Sequence, residues 1–78
     1  MNVKIDTKEK FHVINILEPE LTANMTEEMQ KLFNSCRQKE VKNIVLNLNG
    51  VFLMDEPIAS LLLNEQNMAY ENGHSFVI

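Results

Sequence analysis

The chain has 78 residues, of which 45% are hydrophobic, and this allows one small packed domain while excluding both a two-domain protein and a disordered chain. Its formal net charge of −4 and the absence of any lysine- or arginine-rich run argue against nucleic acid as the main partner. No stretch approaches the roughly 18 apolar residues that cross a bilayer, and no signal-peptide pattern is present, so we expect a cytoplasmic protein without direct membrane insertion.

The first elements are predicted to be a β-hairpin and then an amphipathic helix. Residues 3–6 alternate in polarity, and residues 11–17 form a β-branched and aromatic run after a polar turn. Thr22, Asn24 and Thr26 are three candidate N-caps for the helix. Five apolar residues follow at helical spacing and predict one buried stripe, which leaves the charged residues, Arg37 included, on a solvated face. The stripe comprises Met25, Met29, Leu32, Phe33 and Cys36.

The middle of the chain predicts a strand, a loop and the start of a second helix. Residues 43–48 form the strand, and the consecutive apolar residues at 44–46 indicate an element that is covered on both faces, as in a parallel sheet. Strand, helix and strand together make a right-handed βαβ unit, and open α/β sheets place functional sites in the loop beyond a strand end. Asp55 is predicted to cap the second helix through its carboxylate, and Pro57 suits the first turn.

The second helix has two apolar stripes, and it is predicted to end at Gly73 before a strand at 76–78. One stripe comprises Ile58, Leu61, Leu62, Met68 and Ala69. The other comprises Ala59, Leu63 and Tyr70. One sheet cannot cover both, so either another element of the same chain covers the second stripe, or the native protein is longer, or another molecule covers it. We therefore expect self-association or an apolar partner.

Enzyme chemistry has little support in this sequence. The two histidines, His12 and His74, fall in a strand and in a turn after a helix, where we expect both to be exposed, and no cysteine or aspartate lies at motif spacing from them. The single cysteine, Cys36, is predicted to be a small buried hydrophobe. With no glycine-rich phosphate loop and no metal-ligand spacing, we expect no catalytic residues, no metal and no cofactor.

The segment 41–55 resembles the central signature of the STAS family, the sulphate-transporter and anti-sigma-factor-antagonist domain. Asn47 and Leu48 match the family's strand end, Val51 and Met54 match its apolar positions, and Asp55 matches the aspartate of its signature turn. The resemblance implies an α/β fold with a STAS-like mixed sheet of about four strands and two main helices. The family's C-terminal helix is absent, so 1–78 is expected to be a single, C-terminally shortened STAS-like domain.

The signature turn departs from the family at its serine pair. Glu56 and Pro57 stand where such proteins carry the two serines, usually with the phosphoacceptor second. Pro57 has no hydroxyl group, so serine phosphorylation cannot act as a switch there. Glu56 places a permanent negative charge at the helix start, but a good helix N-terminus explains residues 55–57 better than a mimic of phosphoserine does. In the first loop, residues 19–22 retain only Leu21 of the family's pattern.

The resemblance implies a non-enzymatic module of bacterial transcription regulation that binds a kinase-like anti-sigma factor through the loop at 54–57 and the start of the second helix. Two alternatives are an accessory subunit of a membrane transporter ATPase, and a self-associating structural module, such as a dimer that pairs the strand at 76–78. We expect a homo-oligomer in addition to a protein partner. The candidate partner-binding residues are Asp55, Glu56, Pro57, Ile58, Ala59, Leu63 and Tyr70.

Overall fold

The computed structural model describes all residues, 1–78, as a four-stranded mixed sheet with two α-helices and a separate pair of short strands. The strands are β1 Val3–Thr7, β2 His12–Ile16, β3 Glu20–Leu21, β4 Ile44–Asn47, β5 Leu53–Met54 and β6 Phe76–Val77. The helices are α1 Thr26–Arg37 and α2 Glu56–Glu71, and a 3₁₀ helix, Ala23–Met25, precedes α1. None of the helices has the length and apolar character needed to cross a membrane.

The main sheet has the strand order β1-β2-β4-β6. β1 and β2 form the predicted antiparallel hairpin, whereas β2, β4 and β6 run parallel to one another, with α1 and α2 as the two crossovers. The predicted βαβ organisation is thus confirmed. The short strands β3 and β5 pair in parallel in a second sheet, which the sequence did not predict.

Both helices pack on the same face of the main sheet. The pairing register places His12, Ile14, Ile44, Leu46 and Phe76 on that face, and all five are buried. Their apolar members form one core with Met29, Phe33 and Cys36 of α1 and with Ile58, Leu61 and Leu62 of α2. The rings of Phe33 and Phe76 meet edge to face at 5.3 Å.

The opposite face of the sheet has no helix over it. Val13, Val45 and Val77 lie there in one row across β2, β4 and β6; the first two are half-buried and Val77 is exposed. The prediction that residues 44–46 are covered on both faces is therefore wrong. The strand order advances in one direction from β2 to β6, so two right-handed crossovers place their helices on one side only.

The ends of the two helices agree with the sequence-based predictions only for α2. Pro57 lies in the first turn of α2, and Gly73, with a φ of 75°, follows its last turn, both as predicted. None of the three candidate caps donates or accepts a capping bond at the start of α1. The residue in the N-cap position is Met25, and the hydroxyl of Thr26 donates instead to the carbonyl oxygen of Ala23.

His12 is buried, contrary to the expectation that both histidines are exposed, and His74 is half-buried. The Nε2 atom of His12 donates to the carbonyl oxygen of Val41 at 2.7 Å, and the hydroxyl of Thr7 lies 3.0 Å from Nδ1. Each ring nitrogen thus has a partner, as a buried polar group requires. His12 therefore lies in the buried interior with both ring nitrogens hydrogen-bonded.

An ion pair between a buried carboxylate and a half-buried guanidinium joins the two helices. The carboxylate of Glu65, on α2, accepts a hydrogen bond from the guanidinium of Arg37 at the end of α1, and the same guanidinium donates to Asn34. The ammonium of Lys42 donates to the carbonyl oxygen of Arg37. The prediction that Arg37 belongs to a solvated face is therefore wrong, because Glu65 draws its side chain toward α2. A cavity of about 330 Å³ lies beside the pair.

Candidate protein-interaction surface

The loop that enters α2 is tied to the segment that enters α1. The backbone N–H of Phe52 donates to the carbonyl oxygen of Pro19 at 2.8 Å. In the β3–β5 pair, Leu53 lies opposite Glu20 and Met54 lies opposite Leu21. The N–H of Asp55 then donates to the carbonyl oxygen of Leu21 at 2.9 Å. These bonds give residues 52–55 a defined backbone conformation although only two of them lie in a strand.

Asp55 occupies the N-cap position of α2, but its carboxylate makes no capping bond there. Its backbone carbonyl oxygen accepts the N–H of Ile58 at 3.0 Å, whereas its Oδ2 atom accepts the N–H of Ala23 at 2.8 Å. The expected carboxylate cap is thus made to the 3₁₀ helix and not to α2. Asp55 fixes the starts of two helical segments relative to each other, because it bonds both.

Glu56 and Pro57 are solvent-exposed in the first turn of α2. The hydroxyl of Ser60, one turn later, donates to the Oε1 atom of Glu56 at 3.0 Å. An acid in the first turn interacts favourably with the positive end of the helix dipole. Residues 55–57 therefore form a stable helix start that presents negative charge to solvent.

The second apolar stripe of α2 faces solvent. Ala59 is exposed, and Leu63 and Tyr70 are 57% and 76% exposed. In the chain described here, no other element covers them, so the first of the three explanations for the stripe does not hold. At about 1.5 Å rise per residue, the stripe from Ala59 to Tyr70 is about 16 Å long.

Ile58 differs from the other candidate binding residues because it is fully buried in the core. In this conformation it cannot touch a partner. Its side chain points toward the sheet, since it belongs to the first apolar stripe together with Leu61 and Leu62. Ile58 therefore anchors the start of α2 and supports the surface from below.

Two exposed apolar residues next to α2 were missed in the sequence. Phe52 is 83% exposed and Leu53 is also exposed, whereas their neighbours Val51 and Met54 pack against the core. A short apolar run next to a helix normally indicates burial, so the exposure of its two central residues could not be predicted from the sequence. We call the exposed set the docking surface. It comprises Phe52, Leu53, Glu56, Ala59, Leu63 and Tyr70.

Metal binding and nucleophilic chemistry each need particular arrangements of titratable side chains. No group of three or more histidine, cysteine, aspartate or glutamate side chains is arranged to hold a metal ion. Burial raises the pKa of the Cys36 thiol, the opposite of what a nucleophilic cysteine needs. A hydrogen bond from the terminal amino group of Met1 to Glu28 raises the pKa of that amine, but this pair lies on the surface.

The architecture is similar to that of a known regulatory protein. The structure of the anti-sigma factor antagonist SpoIIAA in its unphosphorylated form superposes with a TM-score of 0.77, over 99% of this chain and 68% of that chain. This chain has a STAS-like fold. The resemblance to the STAS family and the predicted mixed sheet with two helices are confirmed at the level of the fold.

The likeness to SpoIIAA is one of structure and not of sequence. Only 18% of the aligned residues are identical. No protein-family model matches the sequence, and no curated protein matches it either. The comparison therefore establishes the fold of this chain, and its function has to be argued from the residues on its own surface.

Proposed function

We propose that this chain is a non-enzymatic regulatory module that binds a protein partner through the docking surface, in the manner of an anti-sigma factor antagonist. The observation that carries the proposal is the exposure of Leu63 and Tyr70 along α2, together with that of Phe52 and Leu53 in the segment that enters this helix. Apolar side chains grouped on one surface mark an interaction site more often than single exposed ones do. The similarity to SpoIIAA, an anti-sigma factor antagonist, supports the same class of function.

The proposed partner is a kinase-like anti-sigma factor in the cytoplasm of a bacterium. Asp55, Glu56 and Pro57 form the polar end of the contact, and Ala59, Leu63 and Tyr70 form its apolar length. Because Pro57 lacks a hydroxyl, phosphorylation at that position does not release the partner. The loop needs little ordering on binding, since Asp55 and the β3–β5 pair already fix it.

The test is a binding measurement with the anti-sigma ATPase encoded nearest to this chain. Leu63→Arg should weaken binding about 30-fold or more, because it places a charge in the centre of an apolar contact. Val77→Arg is the matched control: Val77 is 53% exposed, close to the exposure of Leu63, but lies on the helix-free face of the sheet. Circular dichroism should show native folding for both variants. Equal affinities for wild type and Leu63→Arg would exclude this surface.

The alternative partner, a membrane transporter ATPase, would use the same surface. Co-purification from detergent-solubilised membranes, with the same two variants, separates it from the anti-sigma factor. If a transporter complex forms with the wild type and is lost on Leu63→Arg, the assignment of the docking surface is supported, but the partner is the transporter ATPase and not the anti-sigma factor.

Self-association is the second candidate function, and the position of β6 favours it. β6 is the last strand of the sheet, and both Val77 and Ile78 are exposed beside its free edge. An unpaired edge strand can pair with a second copy. Sedimentation of wild type and Val77→Lys tests this dimer, because the charge disfavours edge pairing. A monomer at high micromolar concentration for wild type would exclude it.

A further inference from the structure

We infer that the partner segment that occupies the docking surface is a cationic amphipathic helix. Its apolar side packs on the stripe of α2 and on the exposed loop residues, and its lysine or arginine residues pair with the carboxylates at the start of α2. This inference rests on the proposed function and adds the chemistry of the partner. The geometry of the stripe and the distribution of charge along the chain carry it.

The stripe fits a helix better than an extended peptide. An extended peptide docks on the free edge of a sheet, but the docking surface consists of one helix face and a loop that is already paired. The stripe from Ala59 to Tyr70 is about 16 Å long, which corresponds to about three turns of a second helix. A helix with apolar residues at i, i+3, i+4 and i+7 covers such a length with one side.

The second half of the sequence, which includes α2, contains no lysine or arginine. All seven lysine and arginine residues lie in two segments of the sequence. They are Lys4, Lys8, Lys10, Lys31, Arg37, Lys39 and Lys42. Residues 43–78 contain none, although this stretch includes four acids, two of them at the start of α2. Residues 43–78, α2 included, therefore contribute only negative charge, and the cation that reaches α2 is Arg37 at Glu65.

The carboxylates next to the apolar residues have no cationic partner. The structure contains three ion pairs, and none involves Glu20, Asp55 or Glu56. Glu20 lies directly opposite Leu53 in the β3–β5 pair. Glu56 lies on the same side of α2 as Leu63, seven residues later, because seven residues complete nearly two turns. Acidic groups thus flank the apolar residues at one end.

Charge complementarity then selects the partner. An acidic helix would place like charges against Glu20 and Glu56, which is unfavourable. A helix with basic flanks would pair with the same carboxylates at the rim and would be steered toward the surface. The apolar contact supplies most of the affinity, and the rim charges supply specificity and salt dependence.

The test uses two synthetic helices of about 18 residues, long enough to be helical, with the same leucine face and with either lysine or glutamate flanks. Each is titrated into the ¹⁵N-labelled chain while amide chemical shifts are recorded. The lysine helix should shift amides in residues 52–63 and bind at least about ten-fold more tightly than the glutamate helix. Raising NaCl from about 50 mM to about 500 mM should weaken it about five-fold or more.

Matched variants locate the charge effect. Glu20→Gln and Glu56→Gln should each weaken the lysine helix about two- to five-fold, as expected for exposed ion pairs. Glu40→Gln is the control, because Glu40 is an exposed acid in the loop between α1 and β4, away from the docking surface. It should leave the affinity unchanged. An equal effect of all three variants would overturn the inference, because the attraction would then depend only on net charge.

The remaining outcomes separate the inference from the proposed function. If both helices shift residues 52–63 with equal affinity, the docking surface stands and the cationic partner is wrong. If neither helix shifts these residues, the inference fails, whereas the proposed function is decided separately by the Leu63→Arg binding measurement. If raising the concentration of the chain alone shifts them, the occupant is a second copy, and the inference is again overturned.

Discussion

The ion pair between Arg37 and Glu65 allows a prediction in which the loss of stability depends on which partner is removed. The side chain of Glu65 is 4% exposed, whereas that of Arg37 is 34% exposed. Arg37→Met therefore leaves a buried carboxylate without its cation. Glu65→Met leaves a guanidinium that still bonds Asn34 and can reach water. The two single substitutions should have very different costs, although both break the same contact.

The magnitudes follow from burial. Removing one partner of a fully buried pair costs about 3–5 kcal/mol, and the access of water to the Arg37 side reduces this to about 2–3 kcal/mol for Arg37→Met. For Glu65→Met, the gain of a buried apolar side chain offsets the lost pair, and we expect about 0–1 kcal/mol. The double variant should resemble Glu65→Met. A domain of this length has a total stability of about 4–12 kcal/mol, so each variant should remain folded.

Urea denaturation followed by circular dichroism measures these differences. With a slope of about 1 kcal/mol per molar urea, Arg37→Met should lower the midpoint by about 2–3 M, and the double variant should recover most of it. Lys31→Met is the control, since it breaks the solvent-exposed pair with Glu27 and should cost less than about 0.5 kcal/mol. Equal costs for Arg37→Met and Glu65→Met would refute the assignment of Glu65 as the buried member.

Three further predictions concern single positions. Asp55→Ala should cost about 1 kcal/mol in urea denaturation and Asp55→Asn less, because asparagine keeps an oxygen that can accept the N–H of Ala23; equal costs would contradict the bond. Gly73→Ala should cost about 1 kcal/mol in thermal unfolding because of its positive φ, whereas Gly50→Ala, with room for a Cβ and no positive φ, should be nearly neutral. Burial raises the pKa of the Cys36 thiol above its usual 9.0, so the unfolded chain releases this proton first as pH rises. Stability should therefore decline above about pH 9 in wild type more steeply than in Cys36→Ala, and parallel slopes would argue against a buried thiol.

Much of the fold follows from periodicity and from local backbone chemistry. The 3.6-residue spacing of Met29, Phe33 and Cys36 identified the buried side of α1, since one side of a helix must meet the core. Pro57 and Gly73 marked the two ends of α2, because each restricts or permits specific backbone angles. Such signals depend on only a few neighbouring residues, so they can be recognised without knowledge of the rest of the chain.

The features that the sequence did not reveal depend on residues that are distant in the chain. Nothing within a turn of Glu65 indicates that it meets Arg37, 28 residues earlier. The bond between Asp55 and Ala23 spans 32 residues. The strands β3 and β5 have two residues each, too few to show a period of two. These contacts form only when the elements have already packed.

Only part of the docking surface was predicted, because the exposure of some of its residues also depends on contacts between distant parts of the chain. Two apolar stripes on α2 and one sheet to cover them predicted that the stripe with Leu63 and Tyr70 needs cover beyond that sheet, and both residues are exposed. The exposure of Phe52 depends on the β3–β5 pair, which the sequence did not show, and this residue was missed. Ile58 was included because it lies at the helix start, but its position on the first stripe buries it.

The central claim is that α2 and the loop before it contact a protein partner. Cross-saturation in a complex of the ²H,¹⁵N-labelled chain with its purified partner tests this claim most directly, because it reports which amides lie within contact distance. We expect strong saturation transfer at the amides of residues 52–56 and of Ala59, Leu63 and Tyr70. Transfer confined to Val13, Val45 and Val77, on the helix-free face of the sheet, with none along α2, would contradict the account.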